Sequence, residues 1–280
     1  MSQCALIFTS PLAFCIVASH ASFDEHLLPI ADALAVNATL RKVDFSRAFP
    51  ALGNDLADMV CGRLADVLRV NKSVKCLRLC DNRIGCDATA VIGGLLKENS
   101  TIRELDLSDN YCGPVGLCAI AGALRVNTTL RVLNLASINS NDVGGHALVE
   151  ALSCNTTLRE LRLTSTQWDE AVVRSLLVAL AAPNASLRVL DIGGLAMDCN
   201  PLAPLIADVF RRNSVLADFW CCSHSAISME SLAVIFAALE NNDSLCGLSL
   251  NVDRDVVRSG IRTLGASLET NYSLRNLSRT

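Results

Sequence analysis

This sequence has no surplus of charge of either sign. Its 280 residues carry 24 basic and 28 acidic side chains, a net charge of −4, so it shows neither the basic footprint of a nucleic-acid binder nor an acidic tail. It also lacks paired cysteines. The 13 cysteines are odd in number and run from Cys4 to Cys246 without one Cys-x-x-Cys, which indicates neither a zinc module nor a disulfide framework. Such thiols read as small apolar residues in a reducing compartment, and a cytoplasmic location is expected. Gly-x-Gly-x-x-Gly, a Walker loop and a Gly-x-Ser-x-Gly elbow are all missing, so neither a cofactor nor a catalytic residue is expected. What is abundant is apolar residues, 51% of the chain, which is enough to build a core and excludes disorder.

The apolar residues are periodic. An Asn recurs at Asn37, Asn71, Asn99, Asn127, Asn155, Asn184, Asn213, Asn242 and Asn271, at intervals of 34, then 28 three times, then 29 four times. After each comes one spacing, Leu130-x-x-Leu133-x-Leu135, repeated as Val74/Leu77/Leu79, Ile102/Leu105/Leu107, Leu158/Leu161/Leu163, Leu187/Leu190/Ile192 and Leu245/Leu248/Leu250. Alternation over so few residues predicts a short strand with one buried face. Before each Asn the period is helical: Leu117, Ile120, Ala123 and Leu124 share a face, as do Cys61/Leu64/Val67/Leu68 and Ile261/Leu264/Ser267/Leu268. One strand and one helix cannot bury their apolar faces alone. Stacking sets the strands side by side in a parallel sheet with the helices behind, which predicts an α/β fold: a curved solenoid with a concave parallel β-sheet and convex α-helices.

The pattern x-Leu-x-x-Leu-x-Leu-x-x-Asn, with a full helix and a period of 28–29 residues, resembles the ribonuclease-inhibitor type of leucine-rich repeat found in NOD-like receptors and Ran GTPase-activating proteins. The resemblance covers essentially the whole chain and implies a horseshoe that binds proteins. The family's inter-coil Asn is present as Asn82 and Asn110, but Ile138, Thr166, Leu195, His224 and Asp253 replace it elsewhere. The long first interval places extra residues between Arg47 and Asp55, expected to project from one rim.

The register also addresses two secretion-like signals. The apolar run Cys4 to Ala21 resembles a secretory signal, the alternative being secretion, yet it lacks a basic start. It is in phase with the array: Leu12, Cys15 and Val17 fall on strand positions and Ala5-Leu6 on the tail of a preceding helix, although Pro29 interrupts the helix that follows. One array over residues 1–280 is therefore expected, with 1–37 a degenerate first coil and 271–280 an incomplete last one. No polar capping unit is visible at either end, so three readings stay open: a piece of a longer array, an edge that pairs with another chain in self-association, or terminal coils that tolerate exposure. The Asn-x-Ser/Thr triplets keep phase with the repeat, so the Asn is read as a left-handed turn residue and not as a glycan acceptor.

The residue between the second and third strand positions points out of the sheet. Its column reads Ile16, Asp44, Arg78, Asp106, Asn134, Arg162, Asp191, Trp220, Ser249 and Ser278. Asp44, Arg78 and Asp106 are expected to pair along it, and Trp220, with Arg162 and Asp191 beside it, supplies the mixture enriched at protein interfaces. Asp44, Arg78, Asp106, Asn134, Arg162, Asp191 and Trp220 are thus the candidate partner-binding residues. A basic column, Arg41, Lys75, Arg103, Arg131, Arg159, Arg188 and Arg275, stands where cations meet free carbonyls after a helix, a structural role. The histidines do not converge: His20 and His224 follow strands while His26 and His146 sit on helices, so no metal centre is expected. Cys221-Cys222-Ser-His224 is the nearest approach to a nucleophile pair, with Cys221 facing inward as a buried thiol. Ser108 is expected to be exposed. The function expected is a non-enzymatic scaffold with a protein partner, and no nucleic acid or membrane. Two alternatives stay open, a regulator of a small GTPase and the sensor array of a larger NOD-like receptor type protein.

Overall fold

The computed structural model describes residues 5–10, 13–17, 27–48, 54–182, 186–194, 196–221, 225–252 and 271–279. It divides into two compact units, Met1–Leu158 and Arg159–Thr280.

In the first unit β1 (Ala5–Ser10), β2 (Ala13–Val17), β3 (Lys42–Asp44), β4 (Cys76–Arg78), β5 (Glu104–Asp106) and β6 (Val132–Asn134) are neighbours in chain order. From β2 to β6 the strands are parallel, with Val43, Leu77, Leu105 and Leu133 opposite one another. The helices α1 (Leu27–Val36), α2 (Asn54–Val70), α3 (Cys86–Glu98), α4 (Gly113–Leu124) and α5 (Asp142–Cys154) alternate with these strands. In the second unit β7 (Glu160–Arg162), β8 (Val189–Asp191), β9 (Asp218–Cys221), β10 (Gly247–Leu250) and β11 (Asn276–Arg279) are again parallel and in chain order. They alternate with α6 (Glu170–Leu180), α7 (Ala203–Arg212) and α8 (Met229–Leu239). The face Ile261/Leu264/Ser267/Leu268, for which a helix is expected, and most of the insertion after Arg47 lie outside the described residues.

The core follows the periodicity. Leu77, Leu105, Leu133, Leu161, Leu190, Phe219 and Leu248, the middle strand positions, are all buried, as are Leu117, Ile120, Ala123 and Leu124 on the inner face of α4. At about 25 cal/mol per Å² of apolar surface, each fully buried leucine stabilises by roughly 2 kcal/mol. Close helix packing adds to this. A Cβ at Gly93 of α3 would stand 2.7 Å from the backbone carbonyl carbon of Ala119, and one at Gly116 of α4 would stand 2.6 Å from Thr89 Cβ. Larger residues there would force α3 and α4 apart.

Three expectations are corrected. Ala5-Leu6 is not the tail of a helix but part of β1, which pairs antiparallel with β2 through Ala5↔Val17 and Leu6↔Ile16. A run rich in β-branched and aromatic residues favours a strand, and a short connection between two such runs closes a hairpin. The hairpin brings its own register: Phe14, not Cys15, lies opposite Val43, so Cys15 and not Ile16 lies opposite Asp44.

The second correction concerns the recurring Asn. Asn99, Asn155 and Asn213 have φ of −79°, −82° and −92°, extended and not left-handed. Their side chains carry the role instead. Asn99 Nδ2 donates to Leu68 O at 2.7 Å, Asn155 to Leu124 O at 2.7 Å, Asn213 to Leu180 O at 2.8 Å and Asn242 to Phe210 O at 2.7 Å, each reaching the preceding helix. The same Asn accepts through Oδ1 from the amides two and three residues on, as Asn99 does from Thr101 and Ile102 at 2.8 Å each. One buried amide thus satisfies orphan groups on two coils. An Nδ2 carrying a glycan would keep only one N–H and would have to bring the sugar into this buried position.

Left-handed backbone stands elsewhere, three residues beyond the outward strand position: Arg47, Asp81, Asp109, Ser137, Ser165 and Gly194 have φ between 54° and 67°. Third, Ser108 is buried, and its hydroxyl is satisfied there by donating to Asp106 Oδ1 at 2.7 Å. The inter-coil Asn pair forms as expected: Asn110 Oδ1 accepts from the amides of Asn82 and Ile84 at 3.0 and 2.9 Å, and Asn82 Nδ2 donates to Phe45 O at 2.8 Å.

Candidate functional site

The strand residues that do not face the helices form two columns. One holds the expected candidates; the other holds the residue two earlier on each strand, since side chains alternate with period two. In the first unit most candidates are engaged with their own loops. Asp44 Oδ1 accepts from Ser46 N at 3.1 Å, Asp106 Oδ1 from Ser108 N at 3.0 Å, and Asn134 Oδ1 from Ala136 N at 3.1 Å. Asp191 repeats this in the second unit, accepting from Gly193 N at 2.9 Å. These carboxylates and amides fasten the turn that precedes each left-handed residue.

The expected charge ladder forms only in part. Arg78 Nη1 lies 3.8 Å from Asp44 Oδ2, with Lys42 Nζ at 3.7 Å on the same oxygen, whereas Asp106 turns to Ser108. Arg162 pairs with Glu160 of its own strand at 2.5 Å rather than with Asp191. Two residues apart on one strand face, these two charges meet without crossing to another coil.

The basic column has the structural role expected of it. Arg41 Nη1 donates to Ser73 O at 3.1 Å, Arg131 Nη1 to Thr157 O at 3.2 Å and Arg159 Nη1 to Ser186 O at 2.9 Å, each capping the turn of the next coil. Burial lowers the pKa of Lys75 from the ordinary lysine value, and the neighbouring Arg103 and Arg41 lower it further. Among the thiols, Cys221 is buried as expected, and its Sγ lies 3.5 Å from Cys199 Sγ, well beyond a disulfide bond length. His224 lies outside the described residues.

Trp220 is half-buried on β9, with Phe219 and Cys221 facing the core. The register puts Asp191 of β8 on one side of it and Ser249 of β10 on the other. Along the second column Asp218 lies between Val189 and Gly247. These residues enclose a cleft of about 460 Å³ walled by Asp191, Asp218, Trp220, Gly247, Ser249 and Asn276. Gly247 makes the room: a Cβ there would collide with the Asp218 carboxylate. Asp218 and Gly247 were not among the candidates, although the alternation Asp218-x-Trp220 places both side chains on one face. Arg162 lies opposite Asp191, one strand beyond this cleft.

Residues 98–121 match the family model of the leucine-rich repeat. No curated protein sequence matches the chain. Among solved structures, the actin-binding site 2 of leiomodin-1 is 24% identical, covering 58% of this chain and 90% of that one, with a TM-score of 0.46. The C-terminal domain of a Caenorhabditis elegans tropomodulin is 15% identical over 74% of this chain and 98% of its own, with a TM-score of 0.44. An internalin from Listeria monocytogenes is 13% identical over 88% of this chain and 63% of its own, with a TM-score of 0.51, a likeness of fold. The Asn-phased leucines of the sequence, the buried strand positions and the repeat model matched at residues 98–121 agree: the coils of this chain have the strand-and-helix build of leucine-rich repeats.

Proposed function

We propose that the chain is a non-enzymatic scaffold of the ribonuclease-inhibitor type that binds a protein partner through its strand faces and the adjoining loops. Asp44, Arg78, Asp106 and Asn134 would contribute on the first unit, and Arg162, Asp191 and Trp220 on the second. The observation that carries this reading is Trp220: a large aromatic half-buried beside two carboxylates, on the face of β9 turned away from the buried Phe219 and Cys221. Aromatic anchors in partly desolvated clefts dominate interface energies. A cytoplasmic setting agrees with free thiols such as Cys61 and Cys112 and with asparagines whose amides are engaged inside the coils. Among the described residues no helix is long and apolar enough to cross a membrane.

The test is affinity capture from the native cell with the wild-type chain, with Trp220→Ala combined with Arg162→Ala, and with Arg211→Ala at an exposed position of α7. The double variant should lose the principal partner, by about thirtyfold or more in affinity for a 2 kcal/mol anchor, with an unchanged thermal midpoint. Arg211→Ala should keep it. Retention of the partner by the double variant and its loss by Arg211→Ala would place binding on the helical side.

A further inference from the structure

The cleft beside Trp220 is selective in its charge. Asp191 and Asp218 approach it from neighbouring strands, and neither makes an ion pair among the described residues. Asp191 uses Oδ1 on the Gly193 amide, which leaves Oδ2 for another donor. Arg162, opposite Asp191 on the neighbouring strand, is held by Glu160 at 2.5 Å, and Arg188 is exposed one residue before β8. Two like charges share a concave space with an indole whose π face is itself negative, an arrangement that attracts a cation and repels an anion.

The chemistry narrows the cation further. Among the described residues no group of three or more His, Cys, Asp or Glu could hold a metal ion. The volume of about 460 Å³ falls within the roughly 300–1,000 Å³ of pockets that seat organic groups. A lysine ammonium would satisfy one carboxylate as a point charge. A guanidinium is planar, stacks on an aromatic face and presents its donors in a fork to carboxylates on its edge, so it uses all three walls at once.

We propose that this cleft is the receptor for an arginine side chain of the protein partner, its guanidinium stacked on Trp220 and hydrogen-bonded by Asp191 and Asp218. The proposal rests on the reading of the strand face as the binding surface and names the chemistry that face selects. It also explains Gly247: without a Cβ at that position, the Asp218 carboxylate can lie across the floor of the cleft.

The chain has two tryptophans, so in a Trp168→Phe background Trp220 alone reports by fluorescence. The probes are three capped tripeptides, Gly-Arg-Gly, Gly-Lys-Gly and Gly-citrulline-Gly, the last isosteric with arginine but uncharged. The arginine peptide should shift Trp220 emission saturably, and the lysine peptide should bind several-fold more weakly. The citrulline peptide should bind at least about tenfold more weakly, the scale of a lost charge-assisted pair. Asp218→Asn should reduce selectivity for arginine over citrulline several-fold, Asp191 and Trp220 retaining the remainder. Gly247→Ala, which displaces the carboxylate without touching Trp220, should do the same at an unchanged thermal midpoint. Equal binding of arginine and citrulline peptides, or no saturable binding of either, overturns the proposal. If the tripeptides fail while capture of the native partner still requires Trp220 and Arg162, the arginine receptor falls and the binding surface stands; if both fail, both readings fall.

Discussion

Asn127 is joined to Leu96, 31 residues earlier, by a hydrogen bond of 2.7 Å from its Nδ2 to the leucine carbonyl. The same side chain donates to Asn99 O at 3.2 Å and accepts from the amides of Thr129 and Leu130 at 2.9 and 2.8 Å. A carboxylate keeps the acceptor and loses both donors. Asn127→Asp is therefore expected to destabilise by about 3 kcal/mol, because a buried carbonyl loses its partner and a charge is buried. Urea unfolding alongside exposed Thr128→Ala checks it; equal midpoints for the two would show that the Asn bonds carry no stability.

Leu105 and Leu133 lie opposite one another on β5 and β6 with almost no exposed surface. Leu133→Ala should cost about 2–5 kcal/mol through lost burial and a cavity. Ser108→Ala should cost about 1 kcal/mol for its bond to Asp106. Val178→Ala, at an exposed site on α6, should stay within about 0.5 kcal/mol.

The left-handed loop position gives a test of opposite signs. Ser137, at φ 54°, should accept Gly without loss, whereas Ser137→Val should lower stability by about 1–2 kcal/mol. Thermal melts of the two variants decide this, and a harmless valine would contradict the backbone geometry.

Adjacent glycines on α3 should also respond oppositely. Ala is the better helix former by about 1 kcal/mol, so Gly94→Ala should stabilise, its nearest new neighbour being Arg69 Nη2 at 4.0 Å. Gly93→Ala should destabilise despite the same propensity gain, because Ala119 backbone stands 2.7 Å from the new methyl. Chemical denaturation of both variants checks the packing of α3 on α4.

The buried thiols predict an alkaline limit. Burial, with Asp58 and then Cys112 adding to it, pushes the Cys61 thiol up from 9.0 to about 12, and burial raises Cys112 to about 11. The unfolded chain loses these protons first, so the folded state binds more protons above pH 9. Stability should hold below that pH and fall as pH rises towards 12, and Cys61→Ala should make the decline shallower. Urea midpoints from pH 7 to pH 11 measure it. With a thiol reagent at pH 8, exposed Cys154 should react before Cys61 or Cys112.

The repeat was legible because each coil contacts only its neighbours, so burial becomes a periodic property of the chain itself. Leu77, Leu105 and Leu133, counted from Asn71, Asn99 and Asn127, stand opposite one another as the spacing requires. The inward Phe219 and Cys221 and outward Trp220 follow from the same alternation. The capping arginines were legible too, since a cation after a helix meets free carbonyls in every coil.

Tertiary structure decided what periodicity does not encode. The β1–β2 hairpin breaks the repeat, and its register answers to an antiparallel partner instead of to a preceding helix. The regular spacing of Asn99 or Asn155 does not say whether backbone or side chain needs the residue; only the carbonyls of Leu68 and Leu124, brought within 2.7 Å by stacking, do. Arg162 chose Glu160 over Asp191 through its rotamer, to which the repeat is blind. The cleft required Asp218 to lie across Gly247 beside Trp220, residues 29 and 27 positions apart in the chain. Polar pairing and cavities depend on distances of a few ångströms between coils, whereas the order of apolar residues specifies only which side of each coil is dry.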